Sequence, residues 1–123
     1  MPPRPALSTI DQKLVGERAV VEVTLIAQHS QYRGRAEGDG SPGHRHRLVG
    51  EATLRALRSI SPDLALDLSA VASSDLGSLR VALAQVHQDG HELVGSAIVR
   101  GGDPAVATAK AVLDAVNRVL DRP

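Results

Sequence analysis

The sequence predicts an α+β fold in which antiparallel strands are backed by two helices and a β-β-β-α unit occurs twice. Three observations predict it: segments of alternating apolar and polar residues, two segments with apolar residues every three or four positions, and local similarity between the two halves. The length of 123 residues suits one domain. We expect a single domain over residues 1–123, with pseudo-repeats over 6–60 and 64–120 and a flexible N-terminus over 1–5.

The first half contains three candidate strands. Residues 18–29 alternate between apolar and polar side chains, as do residues 32–37, and a hairpin turn is expected at residues 30–31. The leading strand falls on residues 6–15, because no other segment can supply it. This segment is ambiguous, since its serine, threonine and aspartate equally fit the cap of a short helix.

The remaining elements follow from glycine and proline, which interrupt regular structure, and from apolar periodicity. The Asp-Gly at residues 89–90 marks the clearest hairpin. In chain order we predict a loop over 38–43, a helix over 44–59, a strand over 64–70, a loop over 73–77, and strands over 79–87 and 91–100 joined by a turn at 88–90.

The last helix has the strongest pattern. Asp103 stands where an N-cap belongs, and Pro104 stands at the first helical position, which tolerates proline. The helix separates an apolar stripe from a polar side. The stripe is Ala105, Ala109, Val112, Leu113, Val116, Val119 and Leu120; the polar side is Lys110, Asp114, Asn117, Arg118 and Asp121.

The two halves can be overlaid, with extra residues in the first half between its third strand and its helix. A single β-β-β-α unit exposes its sheet face or its helix stripe, so pairing two units or two chains buries both. The overlay matches residues 23–25 with 81–83, His29 with His87, 34–36 with 95–97, and 51–57 with 110–116.

Composition narrows the function classes. Lysine plus arginine equals aspartate plus glutamate at 14 each, so no global charge attracts nucleic acid. The absence of cysteine removes disulfides and thiolate chemistry, and no apolar run is long enough for a signal peptide or a membrane span. We expect a cytoplasmic protein without a membrane partner.

The sharpest local feature is a basic segment at the predicted start of the first helix. His44, Arg45 and Arg47 lie where free backbone N–H groups attract anions, and Arg33 and Arg35 precede them on a strand. The alternative to an anion site is that this segment is an ordinary basic loop exposed to solvent. In an extended segment the side chains of His44 and His46 would lie on the same face, but no cysteine and no clearly placed carboxylate completes a set of metal ligands. No candidate nucleophile has a histidine at a spacing known from a catalytic family. We therefore predict no metal, no cofactor and no catalytic residues.

Several motifs resemble the C-terminal regulatory domain of alpha-isopropylmalate synthase and its citramalate synthase relatives. They are the strand at residues 21–25, the glycine-rich segment 34–40, and residues 101–103 leading into the helix 109–118. The resemblance implies a duplicated β-β-β-α module that forms a dimer and binds an amino acid near its glycine loops. Residues 42–47 are inserted relative to that family, and the catalytic barrel of the synthases is absent from this chain.

The function expected from the sequence is therefore a non-catalytic, dimeric, amino-acid-sensing-like module. Its ligand is an amino acid or another anion. The alternative is a protein-interaction module; a double-stranded RNA-binding domain has a similar element order but needs lysines at the start of its last helix. The candidate ligand-binding residues are Arg33, Arg35, Gly38, Asp39, Gly40, His44, Arg45, Arg47, Gly101, Gly102 and Asp103.

Overall fold

The computed structural model describes residues 4–101 and 103–120, and it has the predicted α+β architecture with two β-β-β-α units. Residues 6–15 form a strand, so the ambiguity of the leading segment is settled in favour of the strand. Of the predicted flexible terminus 1–5, residues 1–3 lie outside the described part, and Pro5 is buried. The elements are β1 (Ala6–Val15), β2 (Arg18–Ala27), β3 (Ser30–Asp39), α1 (Pro42–Ile60), β4 (Leu66–Leu76), β5 (Leu79–Gln88), β6 (His91–Ile98) and α2 (Pro104–Leu120).

The strands form two separate antiparallel sheets, each with its strands in chain order: β1-β2-β3 and β4-β5-β6. Helix α1 packs on β2 and β3, α2 packs on β5 and β6, and the helices contact each other. Contacts of α1 with β4 and of α2 with β1 join the two units further. We call the sheet face that meets the helices the inner face and the opposite one the outer face.

The central strands explain why the helices cover the sheets. From residue 19 to 27 in β2 and from residue 82 to 86 in β5 every second residue is apolar and buried, so these parts of the inner faces are continuous apolar surfaces for the helices. Both helices have buried alanine, valine and leucine residues on several sides, because each helix contacts a sheet and the other helix. The inner-face residues of the central strands are Val21, Val23, Leu25, Ala82, Ala84 and Val86.

In the strands, equivalent residues of the two units are separated by a constant interval in the sequence. Gly16 and Gly77 occupy the same turn, 61 positions apart, and both have a positive φ. The first strand of each sheet has an irregularity at the same place, between Leu7 and Thr9 and between Leu68 and Ala70. Strand residues of the two units therefore correspond at an interval of 61.

This register corrects part of the predicted overlay. Val23 pairs with Gly34, whereas Ala84 pairs with Gly95, so the predicted match of residues 23–25 with 81–83 is displaced by three positions. The match of His29 with His87 is wrong for the same reason. The matches of 34–36 with 95–97 and of 51–57 with 110–116 agree with the structure, because Gly34 and Gly95 approach equivalent helix residues.

The first hairpin turn is also misplaced in the sequence prediction. The turn lies at Gln28 and His29, with φ of 50° and 69°, and not at residues 30–31. These two residues correspond to Asp89 and Gly90, which form the predicted second turn. Glutamine and histidine carry little turn signal, so the left-handed turn in the first unit could not be recognised from its residue types.

The predicted loop 73–77 is mostly strand. Ser73, Ser74 and Asp75 continue β4 and pair with β5, and only Gly77 and Ser78 turn the chain. Polar residues are tolerated there because this end of β4 is exposed. The pattern of serines and aspartate resembled a loop for that reason.

The predicted loop 38–43 is short, because β3 continues to Asp39 and α1 begins at Pro42. Eleven residues separate Ser41, the N-cap of α1, from Ala52, while eight separate Asp103 from the equivalent Ala111. The extra residues of the first unit therefore lengthen α1 by about one turn.

Candidate functional site

Both helix starts are built by short polar contacts. At α1 the Ser41 backbone N–H donates to Asp39 Oδ1 over 2.7 Å, and Pro42 is the first helical residue. At α2 the Ala105 backbone N–H donates to Asp103 Oδ1 over 3.0 Å. The predicted role of Asp103 and Pro104 is thereby confirmed. Proline has no backbone N–H, so neither Pro42 nor Pro104 can donate a hydrogen bond. The other backbone N–H groups in the first turn of each helix make the helix start electropositive.

The two helix starts meet at a cleft of about 240 Å³. It is lined from both units, since β1 and α1 belong to the first and α2 to the second. We call it the charged cleft. Its principal side chains are Gln12, Arg45, His46, Val49, Asp103 and Ala105.

The charged cleft combines opposite charges with an apolar floor. Within residues 4–101 and 103–120, the Arg45 guanidinium makes no hydrogen bond or ion pair. Asp103 uses one carboxylate oxygen as a helix cap. Val49 and Ala105 are buried at 1% and 5% exposure. A small molecule with a carboxylate, an ammonium group and an aliphatic portion matches these three surfaces.

A second cleft lies on the other side of the helix starts and shares His46 and Pro104 with the first. It has a volume of about 200 Å³, and Val71, Ser73 and Thr108 line it from the second unit. Ser73 is the strand equivalent of Gln12. In the part of the chain that is described, its lining has no carboxylate, lysine or arginine. The two clefts are thus approximate repeats of each other, and only one is charged.

The structure gathers some of the predicted ligand residues near these clefts. Arg45 and Asp103 line the charged cleft itself. His44 lies over Gly38, where a Cβ would stand 3.2 Å from its Nε2 atom. The Gly40 N–H donates to the Glu17 carbonyl over 2.8 Å and holds the end of β3 to the first turn.

Gly101 precedes α2 with a φ of 67°, and Gly102 lies outside the described residues. This left-handed backbone explains the glycine at residue 101, since other residues are strained there. Gly40 and Gly101 therefore lie where a strand leads into a helix start.

Three predicted arginines lie elsewhere. Gly34, Ala36 and Gly38 occupy the inner face of β3, so Arg33 and Arg35 project from the outer face, away from α1. Arg35 approaches Glu37 at 3.5 Å. The expectation that Arg33 and Arg35 join the helix start is wrong, because strand alternation places them on the opposite face.

Arg47 belongs to a different cluster. Its Nε pairs with Glu51 at 3.3 Å, and its Nη2 donates to the Leu68 carbonyl at 3.2 Å. Arg58 likewise donates to the Leu66 carbonyl. These guanidinium groups join α1 to the edge of β4, and they line a separate cavity of about 270 Å³ that does not include Arg45 or Asp103.

The sequence analysis did not assign Gln12, His46 and Val49 to the site. A signal existed for two of them, because Pro42, Arg45, His46 and Val49 recur at intervals of three and four and so share one helical face. The prediction started α1 at residue 44 and treated the segment before it as a loop. Gln12 had no signal, since its position depends on how β1 approaches the helices.

Asp39 gives the first helix start a measurable pH dependence. The hydrogen bond from the Ser41 backbone lowers the pKa of Asp39 below its ordinary 3.8, and the charges of His44 and Arg18 lower it further. A lowered carboxyl pKa contributes stability above the unfolded-state pKa, and this contribution is lost as the pH falls through the folded-state pKa. The stabilisation from Asp39 should therefore disappear below about pH 4.

The variant Asp39→Asn retains an acceptor oxygen and removes the charge. We expect it to melt at a lower temperature than the original chain at neutral pH, with the difference shrinking as the pH falls below about 4. Melting curves from pH 3 to 7 test this expectation, and Asp11→Asn on the outer face controls for the change in net charge. A difference independent of pH would contradict the assigned role of the carboxylate.

Comparison with known proteins identifies no relative: no protein-family model matches the chain, and no curated protein matches it. In the described part of the chain, neither helix is long and apolar enough to cross a membrane. The protein is thus defined by its fold, an α+β protein with a duplicated β-β-β-α unit, and by the charged cleft between its helix starts.

Proposed function

We propose that the chain is a non-catalytic regulatory module that binds a small amino acid, or a similar carboxylate, in the charged cleft. The observation that supports the proposal is the combination in one cleft of Arg45, which has no hydrogen bond or ion pair to a described residue, the Asp103 carboxylate and a buried apolar floor. Small-ligand sites characteristically combine an apolar lining with a few convergent polar groups.

Each part of an amino acid has a counterpart in the cleft. Arg45 and the free N–H groups of the helix starts suit a carboxylate, since guanidinium groups bind carboxylates by paired hydrogen bonds. The Asp103 carboxylate, which uses one oxygen as the helix cap, suits an ammonium group at its other oxygen. Val49 and Ala105 suit an aliphatic side chain, and the volume of about 240 Å³ favours a small ligand.

The family resemblance supports the same site by an independent route. In the regulatory domains that the chain resembles, the amino acid binds near the glycine loops. Here the corresponding segments are residues 38–40 and 101–103, and they lead into the two helix starts that border the charged cleft. A ligand bound there would contact both units and could couple its occupancy to their relative arrangement.

A thermal-shift screen of the twenty amino acids tests the proposal. We expect at least one amino acid to raise the melting temperature, because a ligand that binds only the folded state stabilises it. Titration calorimetry then compares two substitutions of the same type. Arg45→Gln should weaken binding by about tenfold or more, as expected for loss of a charge-assisted pair, whereas Arg33→Gln on the outer face should leave binding unchanged.

Two outcomes would contradict the proposal. Complete indifference of the melting temperature to the amino-acid panel and to simple carboxylates would favour the alternative function, a protein-interaction module. Equal loss of binding in Arg45→Gln and Arg33→Gln would mean that a ligand binds at a site other than the charged cleft.

A further inference from the structure

The outer face of the second sheet is unusually apolar. Strand alternation places large aliphatic residues from all three strands on it, and four of them are strongly exposed: Leu76 at 69%, Val94 at 53%, Leu79 at 46% and Ile98 at 41%. We call this surface the apolar sheet face. Its members are Leu76, Leu79, Val81, Leu83, Val94 and Ile98.

The first sheet provides an internal comparison, because the same backbone positions recur 61 residues earlier. At four of the six positions the outer face of the first sheet carries a charged residue, and at the other two it also carries valine, Val15 and Val20. The charged residues are Arg18, Glu22, Arg33 and Glu37. Arg18 approaches Glu37 at 3.9 Å across that surface. A charged outer face is therefore compatible with this fold, and the apolar character of the second sheet is not required for the unit to fold.

Large apolar surfaces of this kind mark interaction sites. We infer that the apolar sheet face is the contact surface of a homodimer, in which it packs against the same face of a second copy of the chain. The inference goes beyond ligand binding, since it depends on the outer face of one sheet and not on the charged cleft.

Pairing through the edges of the second sheet is disfavoured where backbone groups are already used within the chain, which favours the face as the contact surface. The carbonyls of Leu66 and Leu68 on the free edge of β4 accept hydrogen bonds from Arg58 and Arg47. On the free edge of β6 the Ser96 N–H donates to Asp114 Oδ2 over 3.0 Å. Edge strands whose backbone groups are occupied cannot add a strand from another chain without losing those bonds.

The distribution of charged side chains on the two outer faces favours a second copy of the apolar sheet face as its binding partner. Among the described residues, no charged side chain lies at the centre of the apolar sheet face, around Val81 and Leu83, and the contact of 2.9 Å between His87 Nδ1 and Glu92 Oε1 lies at one end of it. The outer face of the first sheet is a poor partner for it, because covering that face would remove its arginines and carboxylates from water, and the desolvation of buried ion pairs can exceed their mutual attraction. The apolar sheet face is complementary to itself, as a twofold interface requires.

The whole outer face of the second sheet is close to the size of a small stable interface. Three strands spaced about 4.8 Å apart and about ten residues long cover roughly 500 Å² in projection. Protruding side chains enlarge the accessible area towards the roughly 600 Å² per partner at the lower limit of stable interfaces. Two such sheets pack face to face at about 10 Å, as in a β-sandwich.

Light scattering coupled to size exclusion tests the inference with a matched pair of variants. Val81 and Val20 are equivalent residues on the outer faces of the second and first sheets, so Val81→Lys and Val20→Lys make the same change in the same local geometry. We expect the original chain to have twice its single-chain mass. Val81→Lys should weaken the dimer by about 100-fold, because it buries a charge at the centre of the interface, and Val20→Lys should leave the mass unchanged.

A second substitution separates loss of the dimer from loss of the fold. Leu83→Glu installs the residue that the equivalent position 22 already carries in the first sheet, so the folded unit accommodates it, and circular dichroism verifies this. A folded but monomeric Leu83→Glu variant supports the inference. A single-chain mass for the original protein at all concentrations, or a dimer that persists in both Val81→Lys and Leu83→Glu, would overturn it.

Discussion

Substituting alanine for Gly34 or Gly95 is expected to lower the free energy of unfolding by about 3 kcal/mol or more. A Cβ at Gly34 would stand 2.0 Å from the Ala52 carbonyl oxygen and 2.4 Å from the Ala56 nitrogen. At Gly95 the corresponding distances, to Ala111 and Ala115, are 2.1 and 2.3 Å. These atoms belong to a helix backbone, so the whole helix would have to withdraw from its sheet.

The measurement is the free energy of unfolding in urea. Total stabilities of small domains are about 5–15 kcal/mol, so each substitution should remove a large share of it. Gly43→Ala is the matched control, because a Cβ at residue 43 meets nothing within 4 Å and the residue lies in the first turn of α1. We expect it to be neutral or to stabilise by up to about 1 kcal/mol. Mild effects at Gly34 and Gly95 would contradict the close helix-to-sheet approach.

The substitution Leu25→Ala is expected to cost about 2–5 kcal/mol. Leu25 is fully buried on the inner face of β2, so its truncation removes apolar contacts and leaves a cavity beneath α1. Its neighbour Ile26 lies on the outer face and is 39% exposed. The variant Ile26→Ala should therefore cost about 1 kcal/mol or less.

Urea denaturation of these two variants tests the assignment of inner and outer faces in the first sheet. Because the substitutions fall on adjacent residues of one strand, they share their local backbone and differ in the side of the sheet. Equal losses of stability would mean that β2 does not have one face in the core. The reverse order would mean that its register is shifted by one residue.

Much of this fold was accessible from the sequence because the helices and central strands have strong periodicity. The boundaries of α2 could be predicted from Asp103, Pro104 and the apolar stripe. The stripe is buried through Val116; the side chains of residues 118–120, and residues 121–123, lie outside the described part of the chain. Even the leading strand could be inferred, because the duplication required it. What failed was the register of the overlay, since valine and leucine recur too often in strands to fix their alignment.

The site was only partly predictable. Arg45 and Asp103 could be identified as residues at helix starts, because capping chemistry is local in sequence. Their convergence on one cleft depends on the packing of α1 against α2, which no local pattern encodes. Arg33 and Arg35 were misassigned although alternation was available, because Gly34 was not recognised as an inner-face residue that contacts the helix.

The chain-order arrangement of both sheets also has a consequence for how the protein folds. Within each sheet, strands that are adjacent in sequence pair with each other, and each helix covers the sheet that precedes it. Native contacts within a unit therefore close short loops, which favours rapid folding. We expect each unit to assemble locally, so that the slow step is the docking of α1 on α2. The charged cleft between the helix starts would then form last and open first.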